Sequence, residues 1–188
     1  MNCSREIVKQ LSAKQLRQAV YFTQMIITGC AGLITIFYRY KGVKFSEFIA
    51  FDWKELVYFS VIPAVIILTI DLLLYHYLPN TYLDDHGVNK KIFKNLTLFE
   101  LLLMTAWIAI AEEWLFRLVI QSQFGIVVSM LTFVILHTRY LKQPLLLLNI
   151  ICLSLGLSLI MELTGNILTV IVLHFLIDFG LGLYMRKA

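Results

Sequence analysis

Charged residues are scarce in this chain of 188 residues: they make up 15% of the sequence, against about 25% in soluble domains. Apolar residues make up 60%, and the mean hydropathy is +0.80. A soluble globule of this size cannot bury so much apolar surface, and a disordered chain would be far more polar. The composition therefore predicts an integral membrane protein that has the lipid bilayer as its surroundings.

Two further absences narrow the function. The cysteines, Cys3, Cys30 and Cys152, form no CxxC pair, so the sequence indicates no disulfide framework. The net charge of +4 is spread over loops and chain ends without a basic face, which argues against nucleic acid as a partner. The sequence gives no indication of the oligomeric state.

Long apolar runs recur along the chain and predict an all-α fold, a polytopic transmembrane helical bundle of about six spans. Residues 1–18 are basic and amphipathic, and we expect them to lie at the membrane surface. Residues 19–97 hold two spans and a polar loop, and residues 98–185 hold a core of four helices. The expected spans are 19–38, 55–78, 98–124, 125–140, 144–163 and 166–185.

Local signals refine three of these spans. Asp52 is well placed to cap the second span, because Asp is a preferred N-cap residue. Four glycines are expected to allow close helix packing, namely Gly29, Gly32, Gly180 and Gly182.

The distribution of Lys and Arg predicts the orientation of the bundle. Eleven basic residues fall at the two termini and in the loops 79–97 and 139–143: Arg5, Lys9, Lys14, Arg17, Lys90, Lys91, Lys94, Arg139, Lys142, Arg186 and Lys187. Four fall on the opposite side: Arg39, Lys41, Lys44 and Lys54. Both termini are therefore expected in the cytoplasm. The short chain favours a bacterial source, and hence the plasma membrane.

A charge inside a membrane span costs about 2.5–3.5 kcal/mol even on the lenient insertion scale. Seven ionisable residues inside the expected spans stand out for this reason, and six of them fall between residues 112 and 178: Glu112, Glu113, Arg117, His137, His174 and Asp178. Each alone is typical of a structural polar contact, but together they predict a functional site. Asp71 in the second span is expected to pair with His76 or a neighbouring helix, and nothing else recommends it as a site residue.

The two glutamates are expected to differ in role. Glu113 and Arg117 are four residues apart, so they can form an ion pair along one face of a helix. Glu112 lies about 100° further round the helix. The spacing thus leaves Glu112 free to face a cavity, where an unpaired carboxylate can act as a general base.

The two histidines have helical partners of their own. Phe133 lies four residues before His137, which places an aromatic ring beneath the imidazole. His174 and Asp178 have the same spacing. A bundle that joins these faces would hold two imidazoles and a carboxylate around one polar cavity, which can activate water and stabilise an oxyanion. These side chains are also ligand types that zinc accepts.

Three short motifs resemble those of a known family. Residues 112–117 (EEWLFR) resemble the EExxxR motif of the CPBP family, the CAAX proteases and bacteriocin-processing enzymes also called Abi. Residues 133–137 (FVILH) resemble its FxxxH motif, and residues 174–178 (HFLID) resemble its HxxxN or HxxxD motif. The likeness covers about residues 98–185, and the three motifs occur in the family's order.

The resemblance implies an intramembrane protease that cuts peptide bonds near the cytoplasmic side of the membrane. The glutamate matching Glu112 activates water in that family, helped by the histidine matching His137. The residues matching His174 and Asp178 form the oxyanion site. The eukaryotic CAAX endoproteases carry Asn where this chain has Asp178. Since a carboxylate is a poor oxyanion donor, Asp178 is expected to orient His174 or assist a metal.

The resemblance leaves the metal and the substrate open. The family is commonly called a metalloprotease, but this chain lacks the HExxH signature. Two mechanisms therefore remain open, one with zinc held by His137, His174 and Glu112 and one without a metal. No organic cofactor is expected. Prenylated CAAX proteins, double-glycine bacteriocin precursors and signalling peptides all fit the family. The expected partner is thus a membrane-associated peptide or protein substrate.

Two other functions fit the same buried charges. A small proton- or ion-coupled carrier would use intramembrane carboxylates, although the chain shows no repeat symmetry between two halves. A bacteriocin self-immunity protein would retain the motifs without needing catalysis. In that case an alanine at Glu112 would leave the protection intact.

The charge distribution generates a prediction about topology. Reporters fused at the C-terminus and within the loop 79–97 should both lie in the cytoplasm, and a reporter after Gly42 should lie outside, because the basic loops remain inside. Paired cytoplasmic and external reporters at each position would measure this. An external C-terminus would contradict both the orientation and the number of spans.

Overall fold

A computed structural model describes residues 10–79, 85, 87–140 and 143–187, and within these ranges the regular structure is entirely helical. The prediction of an all-α membrane bundle is therefore confirmed. The principal helices are α1 (Ala13–Tyr40), α2 (Trp53–Tyr77), α3 (Val88–Phe93), α4 (Leu98–Glu113, continued by the π-helical Trp114–Gln121), α5 (Ser122–Leu136), α6 (Pro144–Thr164) and α7 (Ile167–Lys187).

Five helices of the described chain are long and apolar enough to cross a membrane, and one of them, Leu98–Leu136, folds back on itself. Gly125 breaks this helix with φ 83° and ψ 174°, a conformation that glycine adopts without a Cβ penalty. Beyond the break the chain returns along α4, since Ser129 Oγ donates a 2.8 Å hydrogen bond to the Phe116 carbonyl. This break lies where the third span was predicted to end, and it is consistent with six spans.

Side-chain caps fix where several helices begin. Ser12 and Gln15 form a capping box at the start of α1, and Thr97 and Glu100 form another at the start of α4. Asp52 accepts hydrogen bonds from the backbone of the first turn of α2, as predicted. Because α1 begins at Ala13, residues 13–18 are continuous with the helix of the first expected span, and their position at the membrane surface stays a prediction. Residues 1–9 of that predicted segment lie outside the described residues.

Helix α7 packs in the centre of the bundle against α2 and α4. A Cβ on Gly180 would come within 2.6 Å of Leu68, and one on Gly182 within 2.6 Å of Leu101, so both glycines permit the close approach that was predicted. Gly29 and Gly32 do not fit that prediction, because no described atom outside their own helix lies within 4 Å of a Cβ placed there. Apolar side chains at these two positions would face open space, as expected of a surface toward lipid.

The two ends of the bundle are held by different polar contacts. At one end, Arg17 Nε donates a 2.8 Å hydrogen bond to the Ile92 carbonyl, and the guanidinium also contacts the Lys94 carbonyl. These contacts join the start of α1 to α3. At the opposite end, buried Asn166 donates to the Ala50 carbonyl and to Glu55 Oε1, both at 2.8 Å. The loop before α2 is therefore fastened to the turn before α7.

The start of α1 and the end of α7 lie at the same end of the bundle, which agrees with the distribution of Lys and Arg used to predict the orientation. The start of α1, the short helix α3 and the last turns of α7 share one apolar cluster, which includes Leu16, Ile92 and Leu183. The described parts of the basic segments at the start of α1, in α3 and at the end of α7 therefore lie at one end of the bundle. That this end faces the cytoplasm stays a prediction.

Candidate active site

The buried ion pair expected from the sequence is present on α4. Arg117 Nε lies 3.2 Å from Glu113 Oε2, and both side chains are completely excluded from solvent. The pair lies where α4 changes from α-helix to π-helix, a distortion that is common at functional sites. Arg117 also donates to the carbonyl and the hydroxyl of Ser154 on α6, each at 3.2 Å.

Phe133 of α5 packs against the guanidinium and both histidines. Its ring centroid lies 4.6 Å from Arg117 Cζ, within the range of a cation–π contact. The His137 ring stacks on it at 4.4 Å, and the His174 ring meets it at 6.4 Å in an edge-to-face arrangement. The predicted aromatic ring beneath His137 is therefore confirmed, and the same ring also sets the position of His174.

His174 lies between two carboxylates. Its Nδ1 is 2.7 Å from Glu113 Oε1, a hydrogen bond that connects α7 with α4. Its Nε2 is 3.6 Å from Asp178 Oδ2, which is too long for a hydrogen bond. Glu113 thus orients the imidazole, and Asp178 contributes a nearby negative charge and leaves Nε2 available to another group.

Glu112 faces away from the ion pair, as the spacing predicted. Its Oε1 accepts a 2.9 Å hydrogen bond from Gln24 Nε2 on α1, and it makes no ion pair within the described part of the chain. Oε2 has no hydrogen bond to any described residue. The carboxylate is nevertheless almost completely buried, with 7% exposure. Glu112 is therefore fixed through one oxygen and open at the other.

His137 differs slightly from its predicted setting inside the fourth span. Helix α5 ends at Leu136, and His137 is its C-cap residue. The imidazole Nδ1 lies 2.8 Å from the Phe133 carbonyl, which can only accept, so Nδ1 carries the hydrogen. The neutral ring then has Nε2 as an acceptor, and this side chain is partly exposed. The end of the helix therefore presents a proton acceptor.

Four of the six predicted site residues line one cavity of about 260 Å³: Glu112, His137, His174 and Asp178. The other two, Glu113 and Arg117, lie behind its wall and hold His174 and Phe133 in place. The cavity extends toward the end of the bundle that carries α3 and the last turns of α7, since Ile92 and Met185 also line it. The sequence thus identified the polar side chains of one site, with two of them in its supporting layer.

The predicted zinc ligands do not form a metal-binding group in this conformation. Among the described residues, no three His, Cys, Asp or Glu side chains are arranged to hold a metal ion. His174 Nδ1 is hydrogen-bonded to Glu113, and Nε2 lies 3.6 Å from Asp178 Oδ2. This donor set does not fit a zinc site as predicted. Zinc dependence stays a prediction for metal analysis, and no mechanistic step below passes through a metal.

Sequence reasoning missed two amides near this site. Gln24 of α1 is a buried polar residue within an apolar span, and that isolation was a signal for a buried partner. Asn149 of α6 donates a 3.2 Å hydrogen bond to Asp71 Oδ1 of α2. The expectation that Asp71 meets a neighbouring helix is thus confirmed, whereas His76 makes no ion pair with it in the described structure. Both Asp71 and Asn149 line the cavity.

Comparison with known proteins agrees with the site. The family model described as "Type II CAAX prenyl endopeptidase Rce1-like" matches residues 94–180, a segment that contains all six predicted site residues. The chain belongs to the CPBP family. This CPBP protein is an integral membrane protein of a protease family. Gln24 and Asp71 lie outside the matched segment.

One curated relative extends the similarity beyond the CPBP motifs. The chain is 37% identical over 158 residues to "Uncharacterized protein YpbD" of Bacillus subtilis (strain 168). The alignment covers 83% of this chain and 82% of the relative. No solved structure matches the chain.

The buried ion pair generates a prediction about accumulation. Arg117→Ala leaves Glu113 without its cation inside the membrane, which costs about 3–5 kcal/mol, so the variant should accumulate poorly. Glu113→Gln/Arg117→Leu removes both charges and should accumulate better, while remaining inactive because His174 loses its carboxylate. Immunoblots of membrane fractions and unfolding midpoints in detergent would measure this. Arg39→Ala at an exposed position is the control, and equal levels of it and Arg117→Ala would contradict the prediction.

Proposed function

We propose that this protein is an intramembrane endopeptidase that cleaves a membrane-associated peptide or protein with a water activated by Glu112 and His137. The observation that supports it is the cavity shared by Glu112, His137, His174 and Asp178. Glu112 would act as the base, His137 as a second proton acceptor and His174 as a hydrogen-bond donor. The cavity between them is large enough for water and a peptide bond, and Asp178 places a carboxylate beside His174. The protease family of the chain agrees with this chemistry.

Glu112 is the proposed general base. Arg117 is engaged with Glu113, so the negative charge of Glu112 is not neutralised by an adjacent cation. The amide of Gln24 fixes Oε1, and Oε2 is left to accept a proton from water. Gln24 is therefore a positioning residue, because it acts through Glu112 and not on the substrate.

His137 is the proposed partner of Glu112 in holding the water. The Nδ1 hydrogen is used by the Phe133 carbonyl, so Nε2 can accept a hydrogen bond from the nucleophile. Stacking on Phe133 restricts the rotation of the ring. A water held between Glu112 and His137 would have its oxygen lone pair free to attack a carbonyl carbon.

His174 is the proposed oxyanion donor. In the imidazolium form both ring nitrogens donate, and Glu113 takes the Nδ1 hydrogen while Nε2 is left for the substrate oxygen. Water then adds to the carbonyl carbon as Glu112 takes one proton. The tetrahedral intermediate collapses by breaking the C–N bond, and Glu112 returns the proton to the leaving amine. Asp178 keeps the negative charge beside the imidazole.

The proposed setting is the bacterial plasma membrane, with cleavage near the cytoplasmic face. The cavity extends toward the end of the bundle where the basic segments gather, and such segments stay in the cytoplasm. A substrate that lies at or in the membrane surface would reach the cavity from that side.

Glu112→Gln tests the proposed base. The substitution keeps the shape and removes the proton acceptor, so proteolysis should fall by about 10²-fold or more while the protein still folds and inserts. Purified protein in liposomes, offered a library of lipid-anchored peptides and read by mass spectrometry, would measure the loss. Glu47→Gln makes the same chemical change at an exposed position and should retain activity.

Four outcomes would contradict this assignment. Glu112→Gln could remain active, or Glu113→Gln could give a folded, inactive enzyme where Glu112→Gln does not. Uptake into vesicles driven by a pH gradient, with no peptide cleaved, would favour the carrier. Protection against a bacteriocin that persists in Glu112→Gln would favour an immunity function without catalysis.

Metal dependence has a separate test. Because no three ligand side chains among the described residues are arranged to hold a metal ion, we expect proteolysis to survive exhaustive chelation, with no stoichiometric metal by elemental analysis. Zinc close to one per chain, lost in His137→Ala and His174→Ala, would instead establish the ligand set predicted from the sequence.

A further inference from the structure

Asp71 is a buried carboxylate with no cation beside it among the described residues. It lies in the last third of α2 with 5% exposure, in a span where a charged side chain is costly. Its hydrogen bond from Asn149 Nδ2 is 3.2 Å long, and no described Lys, Arg or His forms an ion pair with it. His76, the expected partner, is exposed. One hydrogen bond from an amide offsets little of the free-energy cost of burying a charged carboxylate in the membrane.

The described lining of the candidate active-site cavity is mostly apolar and carries several carboxylates. Three carboxylates line it, from Asp71, Glu112 and Asp178, and no described Lys or Arg lines it. The one buried guanidinium nearby, Arg117, lies behind the wall against Glu113. A cationic group entering the cavity would therefore be attracted by these carboxylates, and the imidazolium proposed at His174 is itself held between Glu113 and Asp178.

Asp71 and Asn149 lie where this cavity meets a second one. The second cavity has a volume of about 210 Å³ and shares Ile67, Asp71, Asn149 and Leu153 with the first. Its remaining lining is almost entirely aliphatic: Ile70, Cys152, Gly156, Leu157, Ile160 and Leu173. The carboxylate is thus the polar point on a mostly apolar wall. Lys and Arg side chains have the matching form, an apolar stem with a charged head.

We propose that Asp71 and Asn149 form a substrate subsite that binds the cationic side chain of a Lys or Arg in the peptide. This inference rests on the proposed peptidase function and names what its substrate carries. The Asp71 carboxylate accepts from the cation, and the Asn149 carboxamide orients it and offers a further acceptor oxygen. The aliphatic walls cover the stem of the side chain. Peptides with an acidic residue at this position are disfavoured by the same charges.

Direct binding tests the subsite without requiring cleavage. The probes are palmitoylated decapeptides with a single Lys, norleucine or Glu moved through each position, measured against Glu112→Gln protein in phosphatidylcholine nanodiscs. Empty nanodiscs correct for binding to lipid. At one position the Lys peptide should bind about 10-fold or more tightly than the norleucine peptide, and the Glu peptide should bind most weakly.

Variants locate the preference at Asp71. Adding Asp71→Asn, which keeps the size and removes the charge, should bring the ratio of Lys to norleucine affinity to about 1. Adding Glu47→Gln, which removes an exposed carboxylate outside the cavity, should leave the ratio unchanged. A ratio that persists in Asp71→Asn overturns the proposal. Equal binding of the three peptides at every position also overturns it, and that measurement requires no change at Asp71.

Cleavage by the unmodified protein separates this inference from the proposed function. Selective Lys binding without any cleaved peptide would leave the subsite standing and contradict the peptidase. Cleavage of norleucine and Lys peptides at equal kcat/KM would support the peptidase and contradict the subsite.

Discussion

The ion pair between Glu113 and Arg117 is the contact on which the rest of the site depends. Two charges buried without solvent are stable only if the surrounding groups replace the lost water. Each neighbouring helix supplies such a group: Phe133 from α5, Ser154 from α6 and His174 from α7. Helices α4, α5, α6 and α7, which form the family-matched segment, thus all contact this one buried ion pair or its direct partners.

The same pair decides how the neighbouring groups are used. Because Glu113 neutralises Arg117 and orients His174, Glu112 is left with a neutral amide as its only described hydrogen-bond partner. Adjacent residues of identical chemistry therefore have different surroundings, one in the packed interior and one on the cavity. The described lining of the cavity in turn contains carboxylates and imidazoles and no guanidinium. The cavity lining therefore carries more carboxylates than it would if Arg117 pointed into the cavity, because Arg117 is held against Glu113 behind the wall.

Much of this arrangement could be predicted from spacing alone. A separation of four residues brings Glu113 to Arg117 and Phe133 to His137, because the local helix carries such pairs onto one face. In both pairs the contact partners are close in sequence, so helical geometry alone determines their approach. The break at Gly125 was predictable from length, since the apolar run is too long for a single span.

Other features depend on contacts between distant segments and had no such signal. Gln24 meets Glu112 across 88 residues, and Asn149 meets Asp71 across 78. The π-helical turns after Glu113 and the end of α5 before His137 arise from packing, which local propensity does not determine. The zinc ligand set was predicted from residue types, whereas the directions of the His174 nitrogens depend on Glu113 and Asp178.

The hydrogen bond from Gln24 makes the proposed base depend on a helix outside the family-matched segment. The proposed base belongs to the family-matched segment, but the group that orients it comes from α1, which that segment does not include. Replacing the first helix with one that lacks an amide at this position would therefore leave the carboxylate without that hydrogen bond, even with every motif residue retained.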